Sequence, residues 1–174
     1  MARFRATVPS RRAAADTFAY LATFSNAADW DPGVLAGQQL DPGPVAVGTR
    51  FRLVVPFLGR RLPLIYRVTS YQPDHEVVLA AASGLLRATD KIVVTGGADG
   101  SAVSYEAEVR LRGPLAAFDL ILRPGFRAVA DRAAAGLAQA LSRDPGAGTT
   151  ASPGAPAPPG QTAPPGQGKA ERCT

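Results

Sequence analysis

Phe51-Arg52-Leu53-Val54-Val55-Pro56-Phe57, the turn Leu58-Gly59-Arg60-Arg61, and Leu62-Pro63-Leu64-Ile65-Tyr66-Arg67-Val68-Thr69 read as two strands of one hairpin. Phe51, Leu53, Val55 and Phe57 share one parity, with Arg52 and Val54 on the other. After the turn Leu62, Leu64, Tyr66 and Val68 share a side, opposed by Arg67 and Thr69. A period of two with one apolar face is what a half-buried antiparallel strand requires. Pro56 and Pro63 lack a backbone donor, so the strand ends flanking this turn are expected to be loosely paired or edge-like.

The same pattern extends in both directions. Val34–Leu40 is a weak strand, and Glu76–Ala82, Leu85–Thr95 and Ser101–Arg112 complete the set. Ser83-Gly84 and Gly96-Gly97-Ala98-Asp99-Gly100 mark the turns between them. Upstream, Arg3–Val8 alternates with Phe4, Ala6 and Val8 on one side. Ser10 is a candidate N-cap for a helix over Arg11–Phe24, and a second short helical turn is expected over Asn26–Trp30, before Asp31-Pro32-Gly33. Downstream, Phe126, Val129, Ala133, Leu137 and Leu141 recur at helical spacing and predict one apolar stripe. Pro114–Leu122 reads as a separate short helix, and Pro124 is placed in the first turn of the long one ending near Ser142.

An apolar sheet face and an apolar helix stripe share one core most simply when the sheet curls around the helix. The predicted fold is therefore α+β: a curved antiparallel sheet of about seven strands wrapped around a long C-terminal helix, with two short helices after the first strand. Residues 1–142 form this domain. Residues 143–174 contain Pro and Gly throughout but no aromatic or branched aliphatic residue, and are expected to be a disordered tail.

Composition narrows the function. The chain has 174 residues, 19 Lys and Arg against 14 Asp and Glu, and a net charge of +5. Apart from Lys91 and Lys169 the basic residues are arginines, scattered without a basic, aromatic-interleaved stripe, so no nucleic-acid partner is expected. Cys173 and His75 are the sole residues of their types, which speaks against a disulfide framework, a metal site or a cofactor held by such ligands. No apolar leader or membrane-spanning stretch is visible, and the chain is expected to be soluble and cytoplasmic.

The residues Asn26 with Asp29-Trp30-Asp31-Pro32-Gly33-Val34, Gly48-Thr49-Arg50-Phe51, Pro63–Val68, Ala88-Thr89-Asp90-Lys91-Ile92, Val103–Ala107 and Leu111-Arg112-Gly113-Pro114-Leu115, followed by the final helix, resemble the helix-grip (SRPBCC) superfamily. That superfamily includes START, polyketide cyclase/aromatase and Bet v 1-like proteins. The likeness is greatest to its bacterial polyketide cyclase/dehydrase and lipid-transport branch and covers residues 1–142. One departure is that Asp119 is followed by Leu120, with Pro124 later, where such proteins carry Asp-Pro. The resemblance implies a largely apolar pocket between sheet and helix, and no shared catalytic set.

Parity then nominates a lining for that pocket: Phe51, Leu53, Val55, Tyr66, Val68, Ala88, Asp90, Ile92, Tyr105 and Ala107 from the sheet, Phe126 and Val129 from the helix, with Phe57, Leu64, Val103, Val109 and Ala133 inward by the same pattern. Small side chains at Ala80, Ala82, Ala88 and Ala107 would leave room. Asp90 shares parity with Ala88 and Ile92, so an unbroken strand aims its carboxylate at the apolar side, where it needs a partner or a raised pKa. The last two strands match apolar faces only if paired residue numbers sum to an odd value, such as 195 or 197. Asp90 then lies opposite Tyr105 or opposite Ala107, within reach of Tyr105 either way. A bulge near Thr89 would turn it outward.

Asp90 and Tyr105, with Tyr66 nearby, form either a polar spot read by a ligand or a structural hydrogen bond. Trp30 reads as a plug beneath the sheet end, Asp29 and Asp31 as turn caps, and His75 and Arg60-Arg61 as exposed turn residues. Three functions remain open: a protein that carries or sequesters a small hydrophobic molecule, which is favoured; a cyclase/dehydratase-type enzyme in which Asp90 and Tyr105 move protons; and a groove for a protein partner. No oligomeric state is assigned.

Overall fold

The computed structural model describes residues 2–57, 59–113 and 119–142; within the last segment it describes side chains at 129 and 131–142. The expected tail over 143–174 lies outside the described residues. Chain order is β1 (Ala2–Ser10), α1 (Ala14–Ala22), a 3-10 turn (Phe24–Asn26), α2 (Ala27–Trp30), β2 (Ala36–Gln39), β3 (Arg50–Phe57), β4 (Arg60–Gln72), β5 (Glu76–Ala82), β6 (Leu86–Gly97), β7 (Gly100–Leu111) and α3 (Asp119–Ser142). The strands form one seven-stranded antiparallel sheet in the order β1-β7-β6-β5-β4-β3-β2.

Both prolines of the central hairpin sit inside paired strands, Pro56 opposite Arg61 and Val54 opposite Pro63. Each is tolerated because its strand is paired on one side only at that point. β2 reaches no further than Val54 along β3, and β5 no further than Tyr66 along β4. The missing donor then faces no ladder. On β4 the register shifts between Val68 and Ser70, so Thr69 is an extra residue and parity changes beyond it. Tyr71 thereby packs on Phe18 of α1, ring centroids 5.4 Å apart.

Three expectations need correction. Ser10 does not cap a helix: β1 runs through Pro9 to Ser10, pairing Ser10 with Ser101, and α1 begins at Ala14. Pro9 is accommodated because β1 is an edge strand. The Ser10 hydroxyl instead enters a closed circuit. It accepts from the Arg12 amide at 3.1 Å and meets Thr17 Oγ1 at 2.9 Å; Thr17 meets Ser101 Oγ at 2.9 Å, and Ser101 donates to the Arg12 carbonyl at 3.0 Å. Since Ser101 donates onward, Thr17 donates to it and Ser10 donates to Thr17. Every hydroxyl of this buried knot is used, and it fixes the start of α1 on β1 and β7.

Second, there is no helix break at Pro124. One helix runs from Asp119 to Ser142; Pro124 deprives the Leu120 carbonyl of its amide partner near the helix start, where the loss of one bond is tolerated. Residues 114–118 of the expected short helix lie outside the described residues. Third, Ala80 and Ala82 face away from the core. The inward residues of β5 are Val77, Leu79 and Ala81, since Ala81 pairs with inward Tyr66.

The core is solid at one end of the sheet. There Phe18 and Leu21 of α1, Leu137 and Leu141 of α3, and Phe51, Val68, Val77, Leu79, Ile92, Val94 and Val103 of the strands are at most 2% exposed. Each such side chain stabilises the fold by about 1.5–3 kcal/mol relative to exposure. At the other end, where β3, β5 and β7 finish and β1, β4 and β6 start, several inward positions are alanine: Ala2, Ala88 and Ala107.

Candidate ligand-binding site

Those alanines leave a cavity of about 350 Å³ between the sheet and α3. Its walls are Phe4 of β1, Leu53, Val55 and Phe57 of β3, Leu64 and Tyr66 of β4, Leu86, Ala88 and Asp90 of β6, and Tyr105, Ala107, Val109 and Leu111 of β7. Phe24, Ala27, Trp30, Asp31, Gly33 and Val34 close one side, and Val129 and Ala133 of α3 cover it. Val129 is 39% exposed and therefore sits at the rim, whereas Ala133 is buried.

Gly136 sets the height of the helix. A Cβ there would lie 2.0 Å from the Trp30 carbonyl oxygen, so α3 rests directly on the backbone of α2. Trp30 in turn packs edge-on against Tyr105, ring centroids 5.6 Å apart, and Phe24 packs against Tyr66 at 5.1 Å. Aromatic contacts of this geometry hold both tyrosine rings, and hence their hydroxyls, in place.

Among the nominated residues, Leu53, Val55, Tyr66, Ala88, Asp90, Tyr105, Ala107 and Val129 line this cavity. Phe51, Val68 and Ile92 do not. Their parity is inward, but they lie further along β3, β4 and β6, in the solid end beneath α1. The side chain of Phe126 lies outside the described residues. Phe57, Leu64, Val109 and Ala133, also inward by pattern, border the cavity as well, whereas Val103 lies in the solid end. Phe4, Phe24, Leu86 and Leu111 were not nominated; Leu86 and Leu111 share parity with residues that were. Asp31 is more than a turn cap, because its Oδ1 accepts the Gly33 amide at 2.7 Å while the residue also borders the cavity.

β6 has no bulge, and β6–β7 pairing places Asp90 opposite Ala107, one of the two registers that parity allows. Asp90 is 5% exposed, and Tyr105 donates its hydroxyl to Oδ1 at 2.5 Å. Burial pushes the Asp90 carboxyl up to about 6; hydrogen bonding from Tyr105 and Tyr66 pulls the other way, and the Asp31 charge adds a small upward push. Asp31 is also raised, by burial against the opposing Gly33 bond. Burial first, then the Asp90 charge, drives the Tyr66 and Tyr105 hydroxyls well above the ordinary tyrosine range, so both remain donors at neutral pH. The spot is thus a carboxylate fed by phenol donors, set in apolar walls.

Among the described residues no group of His, Cys, Asp and Glu is arranged to hold a metal ion, and no helix is long and apolar enough to cross a membrane. His75 and Arg60-Arg61 are exposed and are not part of this lining, although Arg60 and Arg61 pair with Phe57 and Pro56, which border the cavity.

A sheet curled around a C-terminal helix, with an apolar cavity held between them, defines a helix-grip protein. The chain belongs to the family described as polyketide cyclase / dehydrase and lipid transport, which matches residues 1–142. Solved structures share the fold at low identity. A START superfamily protein from Mycobacterium smegmatis superposes with a TM-score of 0.64 at 13% identity, covering 80% of this chain and 96% of that one. The Zhui aromatase/cyclase from Streptomyces sp. R1128 gives 0.62 at 15% identity, covering 80% and 90%. The di-domain ARO/CYC BexL from the BE-7585A biosynthetic pathway gives 0.60 at 17% identity, covering 82% of this chain and 50% of that one. No curated protein matches the chain.

Proposed function

We propose that this protein binds a small hydrophobic molecule, lipid- or polyketide-like, in the cavity between sheet and α3, as a carrier or sequestering protein. The observation that carries the reading is the cavity of about 350 Å³ itself, apolar on nearly every wall and interrupted by one polar spot. Removal of apolar ligand surface from water drives association, and the Asp90–Tyr105–Tyr66 spot orients what enters. Leu53, Val55, Tyr66, Ala88, Asp90, Tyr105, Ala107 and Val129 are the proposed contacts. We place this activity in the cytoplasm.

A second reading keeps the cavity and adds chemistry: a cyclase or dehydratase in which Asp90 and Tyr105 move protons on a bound chain. It is favoured by an Asp90 carboxyl whose pKa of about 6 suits proton transfer near neutrality. Native mass spectrometry of the full chain purified from its own host tests the first reading. A single co-purified small molecule, released on denaturation, is the expected result; no bound mass, together with no uptake of added hydrophobic compounds, would refute it. Asp90→Asn and Tyr105→Phe separate the two readings, because in a carrier they change affinity alone, whereas in an enzyme they abolish turnover of a chain that still binds.

A further inference from the structure

The polar end of the cavity carries one sign of charge. Among the described residues its ionisable lining consists of Asp31, Asp90, Tyr66 and Tyr105; no arginine, lysine or histidine borders it, although the chain has a net charge of +5. Arg60, Arg61 and Arg112 stand at the same end of the sheet but are exposed, and Arg112 donates to the Ser83 carbonyl. Screening there makes them weak partners for anything inside.

The two carboxylates come from different elements, Asp90 from β6 and Asp31 from the loop after α2. Tyr105 donates to Asp90 Oδ1, and the Tyr66 hydroxyl approaches the same carboxylate. The Gly33 amide occupies Asp31 Oδ1, and among the described residues Asp31 Oδ2 meets no hydrogen-bond donor. Among the described residues the site therefore lacks positive charge and further donors.

We propose that the cavity selects apolar molecules that end in a protonated amine, whose ammonium N–H groups meet the Asp90 and Asp31 carboxylates, and that it rejects the matching carboxylic acids. This rests on the small-molecule reading above. An ammonium entering the cavity loses water but gains two carboxylates in a medium where charge interactions are strong. A carboxylate entering the same place loses water and meets like charge, with phenol donors already engaged. An alcohol donates one hydrogen bond and brings no charge, so it ranks between them.

Matched probes test this by isothermal titration calorimetry on the full chain at pH 7.4 in 150 mM salt: 4-(1-naphthyl)butylamine, 4-(1-naphthyl)butanol and 4-(1-naphthyl)butanoate. The expected order is amine, alcohol, carboxylate, with the amine about tenfold or more tighter than the carboxylate. Asp31→Asn and Asp90→Asn should each weaken the amine several-fold while leaving the alcohol within about twofold, and the double variant should erase the amine–carboxylate difference. A carboxylate that binds as tightly as the amine, or an amine preference that survives in the double variant, overturns the selectivity while leaving the cavity reading intact. Failure of all three probes to bind overturns both.

Discussion

Replacing Asp90 by Asn removes a carboxyl that the fold holds protonated up to about pH 6, while keeping an oxygen for the Tyr105 hydroxyl. The ordinary value is 3.8, so the folded protein binds this proton more tightly than the unfolded chain across the interval from 3.8 to about 6. For an acid shifted upward, stability is greatest below the unfolded value and declines as pH rises through the folded one. A difference of about two units at 1.36 kcal/mol each makes the ionised Asp90 cost about 3 kcal/mol at pH 7 and almost nothing at pH 4. Asn carries no such penalty. The variant should therefore match the wild type near pH 4 and exceed it by up to about 3 kcal/mol at pH 7, with most of the divergence between pH 4 and 6.

Urea unfolding from pH 4 to 7.5 measures this directly. Trp30, the single tryptophan and 3% exposed against Tyr105, reports the transition. Subtracting the two proteins cancels oppositely signed carboxylates such as Glu108, whose pKa is lowered chiefly by its hydrogen bond from Arg110. A stability difference that stays constant over this range would mean that Asp90 titrates as it does in water, and the buried polar spot would be refuted.

Other perturbations have distinct signatures. Thr17→Val breaks the hydroxyl circuit between Ser10 and Ser101 and should cost about 2 kcal/mol in chemical denaturation, whereas Thr17→Ser should cost far less. Gly136→Ala drives a methyl group into the Trp30 carbonyl and should destabilise by about 1–3 kcal/mol while shifting Trp30 emission, because α3 must lift from α2. Tyr105→Phe leaves Asp90 with one donor fewer and should raise the apparent carboxyl pKa measured by carbon NMR above about 6.

Strand parity was legible because each strand has one wet face and one dry face. Leu64, Tyr66 and Val68 announce the inward side of β4 without help from the rest of the chain. Position along the strand was not legible. Phe51 and Leu53 have the same parity, yet one fills the solid end and the other lines the cavity, since α1 and the C-terminal half of α3 pack over only part of the sheet. The Asp90–Tyr105 pair could be inferred because an odd register sum limits the partner to two choices. The inward side of β5 was misassigned at Ala80 and Ala82, because a run of three alanines carries no hydrophobic contrast and the neighbouring strand's bulge is invisible locally. Ser10 had the chemistry of a helix cap but was taken by the sheet edge, where pairing with Ser101 outweighs a local preference.

The central claim is that the space beneath α3 is open and takes an apolar molecule. Titration of N-phenyl-1-naphthylamine, an uncharged fluorescent probe, into the wild type and into an Ala88→Phe/Ala107→Phe variant, which fills that space with two phenyl rings, tests it most directly. The account predicts one saturable site in the wild type and its loss in a variant that still folds, as judged by circular dichroism. Undiminished binding in the filled and folded variant would contradict it.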